Sequence, residues 1–97
     1  MKGLAGLAIE SLHAAHKSGL GAWGLQHLED TVDTADGAFL RRMVTGTGIH
    51  ARRRLDEMNA AKALLDSLDI EPLMTRATIA NLERVLNEGL PELPPLN

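Results

Sequence analysis

The stretch TVDTADGAFLRRMVTGTGIHARRRLDEM, residues 31–58, holds two candidate turns, and the choice between them decides how the chain folds. Thr45-Gly46-Thr47-Gly48 offers two glycines to stop one helix and two hydroxyls to cap the next. Asp33-Thr34-Ala35-Asp36-Gly37 offers the other break. With the turn at 45–48, Leu25, Leu28, Val32, Ala35 and Phe39 recur at alternating steps of three and four, a heptad-like seam that continues through Met43 and Val44. A facing helix over about 49–69 then aligns Leu55, Met58, Ala61, Leu65 and Leu68, and the near-equal lengths suit an antiparallel pair. This hairpin is the preferred segmentation. In the rival, the first helix runs on through Trp23 to residue 30 and the turn lies at 33–37.

Outward from this stretch, Leu4, Leu7, Ala8, Leu12 and Ala15 share one face of a first helix over 3–17. Ser18, Gly19, Gly21 and Gly24 weaken any continuation of that helix, so a break or bend is expected there. Glu71-Pro72 interrupts the chain again, since a residue before proline avoids helical angles. Ile79, Leu82, Val85 and Leu86 mark a fourth helix, closed by Gly89 with Leu90 after it. The expectation is all-α: a helical hairpin within a small four-helix bundle, dimeric, with one domain over 1–90 and an extended proline-rich tail over 91–97.

Composition narrows the function classes. The chain has 97 residues, 44% hydrophobic and 24% charged, with a net charge of -3. Those fractions are average for a folded domain, but so short a chain builds a thin core that a partner completes. Trp23 and Phe39 are its only Trp, Phe or Tyr residues, which favours helix over sheet. Absence of cysteine removes disulfides, thiolate metal sites and Cys nucleophiles. No apolar run approaches the ~20 residues of a transmembrane helix, and a cytoplasmic location is expected. No P-loop, dinucleotide turn or nucleophile elbow is present, so a non-enzymatic role is expected.

Four clusters remain as candidate sites. Glu10, His13 and His16 fall within two helical turns, and Glu-x-x-His is a spacing by which one helix offers two ligands to a divalent metal. Dimerisation would bring the symmetric copy, with His27, Glu29 or Asp30 as further ligands. No other cofactor is implied. The bland alternative is a solvated face on which Glu10 pairs with His13. Around His16-Lys17-Ser18-Gly19-Leu20 the chain also faintly resembles a His-x-x-Lys-Gly phosphoacceptor helix, although Lys17 follows His16 directly.

Arg41, Arg42, Arg52, Arg53 and Arg54 are half of the ten basic residues and flank Thr45, Gly46, Thr47 and Gly48. A hairpin turn there gathers them at one end, where free N–H groups could face an anion or an acidic partner. Arg52 with Asp56 and Arg53 with Glu57 can instead pair along the helix. Upstream acids at Glu29, Asp30, Asp33 and Asp36 complement the Arg block across a dimer. Trp23, Leu25, Leu28, Val32 and Phe39 are the candidate interface.

Residues 74–84 resemble a helix-turn-helix recognition helix, with Thr75, Arg76, Thr78, Asn81 and Arg84 placed to meet DNA. The net negative charge argues against nucleic acid as the main partner. The expected function is therefore that of a regulatory, adaptor or assembly protein acting through protein contacts and forming a homodimer. A helix-turn-helix DNA regulator and a Glu/His metal protein are the alternatives.

Overall fold

A computed structural model describes residues 1–95. They form four helices, α1 (Lys2–Lys17), α2 (Gly21–Thr34), α3 (Gly37–Ser67) and α4 (Leu73–Glu88), with no strand among the described residues. α3 lies along α4 and α1 along α2, and α1 also touches α4, so two helix pairs are joined mainly through α1.

The first break forms where the glycines predicted it. Gly19 adopts φ 74 just past the end of α1, and the Gly19 and Leu20 N–H groups bond back to the carbonyls of His16 and Ala15. This left-handed cap closes the helix by satisfying its last carbonyls, and glycine meets the required backbone angle without a Cβ clash. α1 therefore does not run on to residue 30.

The preferred hairpin turn at 45–48 is not formed. The chain turns at Ala35-Asp36 instead, where Asp36 caps α3 by accepting the Phe39 N–H at 2.7 Å. Residues 45–48 lie inside α3, which bends at His50 (φ -114, ψ 20). Thr45 and Thr47 turn their hydroxyls back onto the carbonyls of Arg41 and Met43 at 2.9 and 2.7 Å, the usual way such residues sit within a helix. Arg54 spans the bend: its Nη1 donates to the Met43 carbonyl at 3.1 Å and to Thr47 Oγ1 at 2.5 Å. Gly46 leaves room for that guanidinium, since a Cβ there would lie 3.0 Å from Arg54 Nη2. The two glycines read as a stop thus serve packing.

The core is small. Ala51 and Leu55 of α3 and Leu82 of α4 are buried, with Met58, Ile79 and Val85 around them. All of these α3 residues lie beyond the bend, so the seam expected from Leu25 to Phe39 does not pair with Leu55 to Leu68 as one hairpin. The tail also finds something to bury. Leu90 packs over Gly48, Leu93 lines one open cavity with Gly37, Leu40 and Val44, and Arg41 holds the Pro94 carbonyl at 2.8 Å. Leu96 and Asn97, the end of the expected tail, lie outside the described residues.

The α1–α2 pair is set by Gly24, which is buried and whose added Cβ would stand 2.6 Å from the Ala15 Cβ. Gly24→Ala is expected to force the two helices apart, at about 1–3 kcal/mol. That exceeds the ~1 kcal/mol of helix propensity gained. A hypothetical Cβ at Gly37 meets nothing within 4 Å, so Gly37→Ala is expected to be neutral or stabilising by up to about 1 kcal/mol. Urea unfolding of both variants checks the contrast, and equal midpoints would remove the close-approach argument.

Candidate functional site

α4 begins without a cap of its own. Pro72 occupies the capping position, and proline has no side-chain oxygen to accept the free N–H groups of the first turn. The acceptor comes from α1. Glu10 Oε1 accepts the Met74 N–H at 2.8 Å, and Oε2 accepts both the Thr75 N–H and the Thr75 hydroxyl at 2.8 Å. These are the two donors that a local capping side chain serves, met here from 64 and 65 residues away.

Glu10 is consequently buried at 8% exposure, as is Thr75 at 5%. The expected solvated face with a Glu10–His13 ion pair is corrected: the carboxylate faces α4, and His13 is exposed. Burial pushes the Glu10 carboxyl up, but hydrogen bonds from the Thr75 hydroxyl and the Met74 and Thr75 N–H groups outweigh it and hold the carboxyl below its ordinary value near 4.5. The positive end of the α4 dipole acts in the same direction.

Seven residues on, along the same side of α1, Lys17 Nζ donates to the Leu68 carbonyl at 2.9 Å. Leu68 caps the C-terminus of α3. α1 thus sets an anion on the start of α4 and a cation on the end of α3, each of the sign that the helix end favours.

The remaining candidate residues are dispersed. Both Glu10 oxygens are committed to α4, and no group of three or more His, Asp or Glu among the described residues is arranged to hold a metal ion. His16 stands near Gly21, away from that carboxylate. The Arg cluster does not assemble around a helix start, because the N–H groups of 45–48 are inside α3. Arg54 is folded onto the bend, Arg53 reaches Glu57 at 3.7 Å, Arg41 reaches the tail, Arg52 borders Leu55 and Glu83, and Arg42 is exposed.

On α4, Thr75 is buried against Glu10, Thr78 donates to the Met74 carbonyl, and Arg76 pairs with Glu71. Asn81 and Arg84 remain exposed. The end of the helix expected to meet DNA is therefore occupied by a carboxylate of the same chain.

The interface candidates are largely on the surface. Trp23 is 62% exposed and stacks on His27 with ring centroids 5.1 Å apart, while Val32 is 58% and Leu25 48% exposed. Leu28 and Phe39 are half-buried. The close helix approach expected beside Trp23 is made within the chain, by Gly24 against Ala15. Sequence reasoning missed the capping role of Glu10, Lys17 as a cap, and Arg54 at the bend. One signal pointed to the first: a helix opening on Pro72 with no Ser, Thr, Asp or Asn beside it requires an acceptor from elsewhere.

A family model described as a domain of unknown function (DUF1932) matches residues 15–85, from the Ala15 contact with Gly24 through most of α4. No curated protein and no solved structure matches the chain. No helix among the described residues is long and apolar enough to cross a membrane.

Replacing the cap tests this account. Glu10→Ala leaves the Met74 and Thr75 donors unmet and is expected to cost about 1–3 kcal/mol. Because the folded carboxyl sits below its unfolded value, its stabilisation is complete above pH 4.5 and is lost as pH falls through the lower folded value. Thermal melts from neutral pH to about pH 3 should show the wild type's advantage over Glu10→Gln shrinking with acid. An advantage that stays constant would deny the carboxylate this role.

Proposed function

The chain belongs to the DUF1932 family, and from its surface we propose that it is a non-enzymatic assembly module acting through protein–protein contacts, as a regulator or adaptor, with a second copy as its partner. One observation carries this reading. The chain exposes 7205 Å². A compact monomer of its 10.4 kDa mass would expose about 5,400 Å².

The excess is about 1,800 Å², whereas a stable interface of standard size buries about 800 Å² on each side. The radius of gyration agrees, at 14.6 Å against about 12.5 Å for a compact chain of this length. Much of the extra area is apolar. Leu4, Ile9, Leu20, Trp23, Val32, Leu40, Ile49 and Leu64 are each about half exposed or more. Among the described residues no side chain is less than 2% exposed.

Protein contact fits these faces better than the alternatives do, because the groups suited to catalysis, metal or DNA are spread apart or already bonded. Light scattering at micromolar concentration should give about twice the 10.4 kDa chain mass. The melting temperature should rise with protein concentration, since association stabilises only the folded form. A single species of chain mass, melting at one temperature across concentrations, would refute the reading.

A further inference from the structure

We propose that α1 and α2 form a flap that swings off α3 and α4 as one unit about Ala35-Asp36, and that the Glu10 contact with the first turn of α4 is the latch that holds it shut. The motion is a property of one chain and does not depend on the protein-contact reading.

Each helix pair is joined within itself more than to the other. α1 packs along α2 and α3 along α4, while α1 meets α4 over a shorter stretch. The buried cluster of Ala51, Leu55 and Leu82, with Met58, Ile79 and Val85 around it, takes no residue from α1 or α2. A single covalent link crosses between the pairs. It consists of Ala35 (φ -80, ψ 134) and Asp36 (φ -137, ψ -174), both extended. The Asp36 side chain accepts the Phe39 N–H, so that bond stays with α3 when the link turns. Residues at the ends of helices are where hinges absorb backbone rotation.

The seam between the pairs is sparsely filled. Around α1, residues 6, 9 and 13 fall on one side of Glu10 and residues 7, 11 and 14 on the other. An open cavity of about 380 Å³ separates Leu7, Ser11 and Ala14 from Met58, Ala61 and Leu65 of α3. A second, of about 290 Å³, parts Ile9 and His13 from Ile70 and Leu73. Glu10 lines both. Apolar walls that face open space gain neither the burial nor the dispersion contacts of a packed seam.

What closes the flap is the narrow strip between the cavities. There Glu10 accepts its three hydrogen bonds of 2.8 Å, and Gly6 lies against Met74, whose sulfur would stand 3.4 Å from an added Cβ. The Lys17 bond to the Leu68 carbonyl is exposed, and water replaces it at small cost. Swinging the flap breaks these contacts and none within the α3–α4 cluster, so it costs less than unfolding the chain. It bares the Leu65 wall of the larger cavity, now 6% exposed.

Hydrogen exchange of the whole chain, followed amide by amide, tests the flap. In the wild type the interior amides of α1 and α2 should share one opening, about tenfold or more faster than the slowest amides around Leu55 and Leu82. Glu10→Ala should speed both helices about fivefold or more. Ile79→Val loosens only the α3–α4 cluster, and should speed the Leu55 and Leu82 amides about twofold or more while leaving α1 and α2 unchanged. Gly6→Cys with Met74→Cys places a disulfide across the seam. Oxidising it should slow α1 and α2 together to the rate of that cluster, and reduction should reverse the change. One common rate for all four helices, moved alike by Ile79→Val, overturns the proposal. So does an α2 that exchanges fast but ignores both Glu10→Ala and the disulfide, since it then frays alone.

Discussion

A helix that starts on proline has donors in its first turn and nothing local to receive them, and in this protein the missing acceptor is a carboxylate 62 residues earlier in the chain than Pro72. Everything between must fold so that Glu10 reaches the start of α4. The same helix meets the opposite need at the other side of the loop, where Lys17 holds the Leu68 carbonyl. A spacing of seven on α1 thereby matches the gap between the end of α3 and the start of α4, and the two helix dipoles make each contact selective for its own sign of charge. Reversing the direction of α1 would put each charge at the wrong helix end.

That electrostatic clamp matters because the packing is thin. The buried apolar cluster is drawn from α3 beyond its bend and from α4. α2 has α1 as its principal neighbour, held at close range by Gly24 on Ala15, and α1 in turn meets α4 through Glu10. The architecture is a chain of contacts more than a shared interior. Apolar surface that a larger domain would enclose stays outward, and this is the ground for the association proposed above.

Helix content was legible because spacing of leucine-type residues reports one covered face, and the ends of α1 and α4 were legible because Gly19 and Gly89 sit at positive φ just past them. The turn was misplaced because Thr-Gly-Thr-Gly looks the same whether it ends a helix or lies inside one. In the structure Arg54, nine residues after Thr45, lays its guanidinium beside Gly46 and bonds Thr47, a contact that the local spacing does not announce. Asp36 carried the correct signal, a capping residue three before Phe39, but the unbroken seam outweighed it. Glu10 was misread for a related reason: a helical wheel locates a residue relative to its own helix and says nothing about another helix arriving end-on. The candidate interface residues were legible as apolar positions, and their exposure followed from where the turn fell.

The bend at His50 gives α3 a mechanical character that a straight rod would lack. Beyond the bend the helix is anchored by Leu55 and Met58 against α4, while before it the helix is tied by one guanidinium and a few residues of tail. Turning this leading arm would mean remaking the Arg54 and Arg41 hydrogen bonds and the Leu90 packing, none of which involves the Ala51, Leu55 and Leu82 cluster. The leading segment of α3 therefore depends on fewer buried contacts than the segment beyond the joint.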